Sequence, residues 1–492
     1  MYLGIDIGTS GVKILLLDQS HKLVGSASAP LTVTRPEISW SEQDPDDWVS
    51  AIIQAMDELY QRYPKQLASV CGIGLSGQMH GAVLIGVDDK PLRPCILWND
   101  GRSEQQCTQL SQIADFKGIT GNLVMPGFTA PKLRWVEQNE PDVFSKIHKV
   151  LLPKDYVRLW LTGTYGTDLS DASGTLWLNV AQRDWSDTLL TATHLSRQHM
   201  PALFEGNAIT GQLRPELAKR WHMSSAIVAG GGGDNAASAC GMGVIAPGNG
   251  FISLGTSGVV FAPTTTAQPN TQSAVHSFCH AFPDMWHTMG VTLCAADSLS
   301  WLANVTNTSV TTMVNTLPSI IERASDVQFL PYLSGERTPH NDANARGAFV
   351  GLHRATSSED LVQAVMEGVA FALTDCLSAI TKVNAQQDTQ LATELNSAFV
   401  VGGGSSSSQW LDIIAAAMNI DLLVPEQGDY GAALGAARLA ICAVTGEHIS
   451  SICLQPKVSK VIHPKPNLVE QYQRSYEKFS TIYPSLYSQR VS

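Results

Sequence analysis

The pentapeptide Gly-Thr-Ser-Gly-Val stands twice in this chain of 492 residues, at Gly8–Val12 and again at Gly255–Val259. Each copy follows an apolar run (Tyr2–Ile5, Gly250–Leu254) and leads into another (Val12–Leu17, Val259–Ala262). That pattern predicts strand, tight turn, strand. Small residues let backbone N–H groups come close to an anion, and the Thr and Ser hydroxyls add donors. Two copies, one per half, predict an internally duplicated chain that holds one polyphosphate from both sides. The plain alternative is a pair of ordinary hairpin turns. Asp6, an acid inside an otherwise apolar strand, speaks against it.

Length and composition support two lobes. A chain this long exceeds one core and suits two domains, with the division expected between 1–246 and 247–492. Apolar residues make up 44% and charged residues 15%, as in a globular protein with large cores. The net charge of −12 and the lack of a basic run argue against nucleic acid or an anionic membrane surface as partner. No uninterrupted apolar stretch predicts a membrane span, and the N-terminus enters a strand without a leader-like segment. Nine cysteines at irregular spacing read as reduced thiols, which predicts a cytoplasmic setting.

Several segments carry local signals. Asp44-Pro45 followed by acids predicts a helix start, with Trp48, Ile52, Ala55, Met56 and Leu59 on its buried face. Gly72-x-Gly74-x-x-Gly77 has dinucleotide-fingerprint spacing, but a strand over Ala82–Val87 follows where a helix is required. A loop presenting Gln78, Met79 and His80 to a crevice fits better. Four glycines, Gly230–Gly233, run into Asp234-Asn235 and a small-residue helix, which predicts a close approach between backbone and ligand, a flexible linker being the alternative. His276, Cys279, His280 and His287 are zinc-ligand types without a second pair at a familiar separation, so strand alternation explains them better. Ser334–His340 is a loop dense in polar side chains. Ser358 is expected to cap a long apolar helix, and Gly402-Gly403-Gly404 forms a third glycine turn opening a helix over Gln409–Met418.

No Gly-x-x-x-x-Gly-Lys-Ser/Thr loop is present. Two isolated acids at strand ends, Asp6 and Asp234, fit the metal and base roles that phosphoryl transfer needs. A duplicated ATP fold also suits chaperone ATPases and actin-like filaments; no stretch remains for a separate peptide-binding domain.

The ordered motifs Asp6–Lys13, Gly77–Gly81, Trp98–Arg102, Gly232–Ala237, Leu254–Gly258 and Gly402–Ser405 resemble the FGGY carbohydrate kinases, of actin/hexokinase-type fold. The resemblance spans about 2–440. It implies an α/β protein of two ribonuclease-H-like domains, each a mixed sheet flanked by helices, with the active site in the cleft between them. Ser41–Pro45, Gln78–Gly81, Met125–Lys132 and Ser334–His340 further resemble the family's bacterial branch acting on D-xylulose, which implies D-xylulose and ATP as substrates and Mg²⁺ as cofactor. Carried over by position, Asp234 matches the catalytic base and Asp6 the acid that helps place Mg²⁺, with both acids near the metal. Met79, His80, Asp234 and Asn235 match the sugar contacts. Ser10, Lys13, Gly255, Thr256, Gly403, Gly404 and Ser408 fall where the family holds ATP. Ser405–Ser408 depart from the family's Ala-Arg/Lys-Ser, which puts the adenine-side contacts in question. Another pentulose or polyol is the alternative substrate, and a homodimer is compatible with the resemblance.

Overall fold

The computed structural model describes residues 1–386, 395–426 and 431–487, and each half of the chain builds one sheet. In the first, β1 (Tyr2–Ile7) and β2 (Gly11–Leu17) form a hairpin, and β3 (Leu23–Pro30) extends it beside β2. β4 (Gly72–Gly77) lies parallel to β1, and β5 (Ile209–Gln212) pairs antiparallel with β6 (Ile227–Ala229), itself parallel to β4. In the second, β7 (Asn249–Leu254) and β8 (Gly258–Thr264) form the other hairpin. β9 (His276–Cys279) flanks β10 (Trp286–Thr292), which pairs with β8. β11 (Ser397–Val401) runs parallel to β7, β12 (Asp421–Pro425) runs parallel to β11, and β13 (Val458–Ile462) closes the edge. The order β3-β2-β1-β4-β6-β5 is therefore repeated as β10-β8-β7-β11-β12-β13, with identical strand directions, and β9 is an addition. The repeated pentapeptide is the turn of each lobe's central hairpin.

Helices cover both sheets. Asp44 accepts from the Asp46 N–H at 3.0 Å and starts the Pro45–Arg62 helix, which buries Trp48, Ile52, Ala55, Met56 and Leu59 against β2 and β3. Ile52, Met56 and Leu59 each contribute about 1.5–3 kcal/mol on burial. The long helix Ser358–Gln386 begins one residue after its cap: the hydroxyl that accepts from Asp360 N–H belongs to Ser357. By length and composition its Ser358–Thr381 stretch could cross a membrane, but 78% of its apolar window is buried in the second lobe's core. Val365, Val369 and Leu373 are among that core.

A helix from the second half packs on the first sheet. Gly431–Thr445, late in the chain, lies on β1 and β4 of the first sheet and against the Asp234–Met242 helix. A Cβ at Gly4 would fall 1.9 Å from the Ala433 carbonyl oxygen, and one at Gly74 1.8 Å from that of Ala436. Between the helices, a Cβ at Gly435 would fall 1.7 Å from the Ala237 carbonyl oxygen. Backbones this close admit no side chain, which is why these faces are glycine and alanine. Ala239 and Met242 of the other helix in turn join the cluster containing Phe251, Phe261 and Phe399 of β7, β8 and β11.

Candidate active site

Asp6 sits near the end of β1, opposite Lys13 on β2 and Ser76 on β4. Its Oδ1 is buried and makes no hydrogen bond. Burial raises its pKa to about 6, against the opposing pull of the Ser76 hydroxyl and the Lys13 charge. The turn beyond it is braced through Thr9: the Gln43 amide donates to its carbonyl at 2.8 Å and the Trp98 indole N–H to its hydroxyl at 3.0 Å. The Thr9 hydroxyl donates to Gln78 Oε1 at 3.1 Å. Ser10 is exposed at the tip of the turn.

Asp234 opens its helix directly after the four glycines. Here the structure corrects the expectation of ligand contact along that run, because the close approach is to the protein itself. A Cβ at Gly230 would fall 2.1 Å from the Glu205 carbonyl oxygen, and one at Gly231 (φ +75°) 2.0 Å from that of Leu75. The run is no linker. Arg158, fully buried, donates to the carbonyls of Ala229 and Gly230. Lys154 pairs with Asp168 at 2.9 Å, Asp168 accepts from Ser170 N–H at 2.9 Å, and the Ser170 hydroxyl accepts from Gly233 N–H at 3.1 Å. Asp171, beside Lys154, is held well above the usual carboxylate range by burial. This buried web fixes the residue before Asp234. Asp234 Oδ1 accepts from the backbone and side-chain N–H groups of Asn235 at 2.7 and 2.9 Å. Burial first, and then the charge of Asp6, raise its pKa to about 7. The two acids are thus brought together from different elements.

Met79 reaches the same floor: a Cβ on Gly233 would fall 2.8 Å from its sulfur. His80 follows with φ +68°, in the left-handed region that a side chain enters only when held there. The holder is Lys132, fully buried, whose ammonium donates to the carbonyls of His80 and Gly127, both at 2.8 Å. The Thr129 hydroxyl donates to the same His80 carbonyl at 3.1 Å. The His80 ring accordingly places Nδ1 2.8 Å from the Gly174 carbonyl oxygen and lies edge-on to Phe128. Burial lowers its pKa to about 3, so the ring is neutral, Nδ1–H donates to Gly174, and Nε2 is left as an acceptor.

In the second lobe the glycines behave differently. A Cβ at Gly255 would meet nothing nearer than 3.6 Å, and one at Gly403 nothing within 4 Å. Both face open space. Thr256 and Gly255 offer their carbonyls to the N–H groups of Ala295 and Ala296, which ties the turn to the start of the Ala296–Val305 helix. A cavity of about 320 Å³ is lined by Gly403, Gly404, Ser408 and the facing helices at Leu299 and Asn315, a size suited to a nucleoside. Ser407, rather than a cation, caps the Ser408–Met418 helix. His276 stacks on Phe278 and His287 on Phe261, His280 lies edge-on to Phe261, and among the described residues no group of three or more His, Cys, Asp and Glu forms a metal site.

Sequence reasoning missed Lys132, Lys154, Arg158, Asp168 and Ser170. Lys132 lay in a quoted motif without a role, and its signal is a lysine at a helix position flanked by apolar neighbours.

Comparison with known proteins gives one answer along the whole chain. The model of the FGGY family of carbohydrate kinases matches through its N-terminal domain at residues 1–241 and its C-terminal domain at 250–444. The xylulose kinase of Escherichia coli K12 is 46% identical over 490 residues, and that of Klebsiella pneumoniae 47% over 489, each pair covering 99% of both chains. The crystal structure of a xyloylose kinase from Brucella ovis superposes with a TM-score of 0.95 at 49% identity, over 99% of both chains. With a duplicated lobe, two convergent acids and an open glycine turn beside a nucleoside-sized cavity, this chain belongs to the FGGY family of carbohydrate kinases.

Proposed function

We propose that the protein transfers the γ-phosphoryl group of ATP to the terminal hydroxyl of D-xylulose, giving D-xylulose 5-phosphate and ADP. The observation that carries the chemistry is Asp234, a carboxylate with pKa about 7 and one oxygen not engaged by Asn235. A base poised near neutrality takes a proton most efficiently, so Asp234 accepts the proton of the attacking hydroxyl. Met79, His80 and Asn235 hold the sugar, with the His80 Nε2 accepting from a sugar hydroxyl while Gly174 fixes the other nitrogen. The turns at Ser10 and at Gly255-Thr256, with Lys13, Gly403, Gly404 and Ser408, hold ATP. Lobe closure excludes water from the transfer.

The donor set suits Mg²⁺, a hard cation that keeps waters and phosphate oxygens and takes only one or two protein carboxylates. Asp6, with a buried oxygen lacking a partner, and Asp234 are the residues that would hold it. When bound it would neutralise charge on the phosphates. The substrate assignment is supported by the names of the relatives at 46–47% identity. The nine unpaired cysteines support a reducing cytoplasm, and the proposal includes a homodimer without nucleic-acid or membrane partners. A coupled ADP-release assay across D-xylulose, other pentuloses, polyols and no sugar tests it. The highest kcat/KM is expected for D-xylulose. ADP release that ignores sugar, or a better pentulose, overturns the assignment.

A further inference from the structure

The Ser334–His340 loop has no part in the reaction described above, yet it is firmly placed. Glu336 is consumed as its anchor, accepting from the Thr292 hydroxyl and from the N–H groups of Leu293 and Arg337. Thr338 ties the other side, its N–H donating to the Val291 carbonyl at 3.0 Å and its hydroxyl to the Ala274 carbonyl at 3.1 Å. Between these anchors Arg337 is half-buried. Glu336, already engaged, is the one acid that acts on it. Among the described residues, one of its five donors has a partner, Nη1 to His276 Nε2 at 3.3 Å. A cation held out of water without an anion or a full set of acceptors is unfavourable unless a ligand supplies the oxygens.

The direction in which Arg337 points is fixed by a chain of contacts across the lobes. The His276 ring lies edge-on to Phe128 at 5.5 Å, and Phe128 lies edge-on to His80 at 4.8 Å. The Arg337 charge acts on His80 directly. From His80 the run of neighbours continues through Met79, which touches Gly233, to Asp234, the next residue in the chain. A pentulose whose terminal hydroxyl meets Asp234 therefore lays its hydroxymethyl-ketone end toward His80. Arg337 approaches that end from the second lobe.

We propose that Arg337 is a substrate-binding residue, donating from its remaining guanidinium N–H groups to the oxygens at the C1–C2 end of the ketose, so that the second lobe reads the end of the sugar opposite the reacting hydroxyl. This rests on the phosphotransfer reading given above. It also links sugar recognition to lobe closure, because the contact joins a first-lobe ligand floor to a second-lobe loop.

The test compares the full-length wild type with Arg337→Gln and Arg337→Lys, using D-xylulose and 1-deoxy-D-xylulose, with the melting temperature as a check on folding. Arg337→Gln should raise KM for D-xylulose about ten- to a hundredfold, the range expected for charge-assisted hydrogen bonds, while KM for ATP stays within about twofold. Deleting the C1 hydroxyl from the sugar should weaken the wild type strongly and the variant little, because the partner is already gone. Arg337→Lys keeps the cation without the fork, so it should fold normally and give an intermediate KM. An active wild type with unchanged KM in a well-folded Arg337→Gln overturns this proposal alone. So does an equal loss on both sugars, or an equal rise in KM for ATP. A wild type inactive on D-xylulose overturns the phosphotransfer reading and this proposal with it.

Discussion

Asp234→Asn should make the protein more stable as it makes it inactive. The surroundings of Asp234 strain its ionised form: burial and the neighbouring Asp6 hold the carboxyl at about 7 against an ordinary 3.8. At about 1.4 kcal/mol per pH unit, that interval amounts to about 4 kcal/mol of penalty for the ionised form. The sign follows from linkage. Below pH 3.8 both folded and unfolded chains carry the proton, and there is no penalty. Between 3.8 and about 7 the unfolded chain loses its proton first, so native stability falls; above about 7 the loss is complete. Asparagine carries no charge and keeps an oxygen for the two Asn235 donors. Because the site retains some solvent contact, we expect about 2–4 kcal/mol of the penalty to be recovered at pH 8. Scanning calorimetry of the ligand-free proteins from pH 4.5 to 8 reads this as a melting-temperature gap in favour of the variant that narrows toward acid. The same variant should lose about 10²–10⁴-fold in kcat. A gap that is flat with pH, or a variant less stable at pH 8, would refute the electrostatic account of Asp234.

Two further outcomes separate the remaining roles. Gly255→Val fills the open space in front of the second turn and should raise KM for ATP far more than KM for D-xylulose; equal rises, or loss of folding, would count against the phosphate assignment. Asp6→Asn should shift the Mg²⁺ concentration for half-maximal rate upward and be rescued by excess Mg²⁺, whereas Asp234→Asn should not; the opposite pattern in a Mg²⁺ titration would exchange the two roles.

Local signals carried the sequence reading a long way. The repeated pentapeptide located both central hairpins, since a glycine-flanked turn between apolar runs leaves few alternatives, and Asp44-Pro45 located a helix start to the residue. The long helix misled by one position because Ser357 and Ser358 both satisfy the capping pattern and only geometry distinguishes them. The glycine run before Asp234 was legible as special, but its reason was not: Glu205 and Leu75, which crowd it, are distant in sequence. The web of Lys154, Arg158 and Asp168 was illegible for the same reason. A helix carrying buried Lys154, Asp155 and Arg158 looks like an ordinary solvated face until the acid from another element arrives. The left-handed His80 was equally hidden, because it is the buried Lys132, far along the chain, that makes the conformation affordable.

The paired helices bring the two candidate acids, one from each end of the first half, to one place in a duplicated chain. The Asp234–Met242 helix begins at Asp234, and its Ala239 and Met242 share a buried apolar cluster with Phe251, Phe261 and Phe399 of the second sheet. Its counterpart, Gly431–Thr445, lies on β1 and β4, the strands that carry Asp6 and lead to His80. The two helices pack on each other and join the apolar clusters that span both halves, while each lobe keeps a core of its own. The contacts are backbone on backbone, at Gly4, Gly74, Gly241 and Gly435, where even a methyl group would collide with a carbonyl oxygen. Packing so close does not yield gradually, since a core is dense and resists small displacements. Asp6 and Asp234 lie on elements that meet at this seam, which opposes displacement of one carboxylate relative to the other. The turns at Ser10 and Gly255 lie at the tips of the two hairpins. The carboxylates are thus held by close backbone packing and the turn at Gly255 is not, since a Cβ there would meet nothing nearer than 3.6 Å.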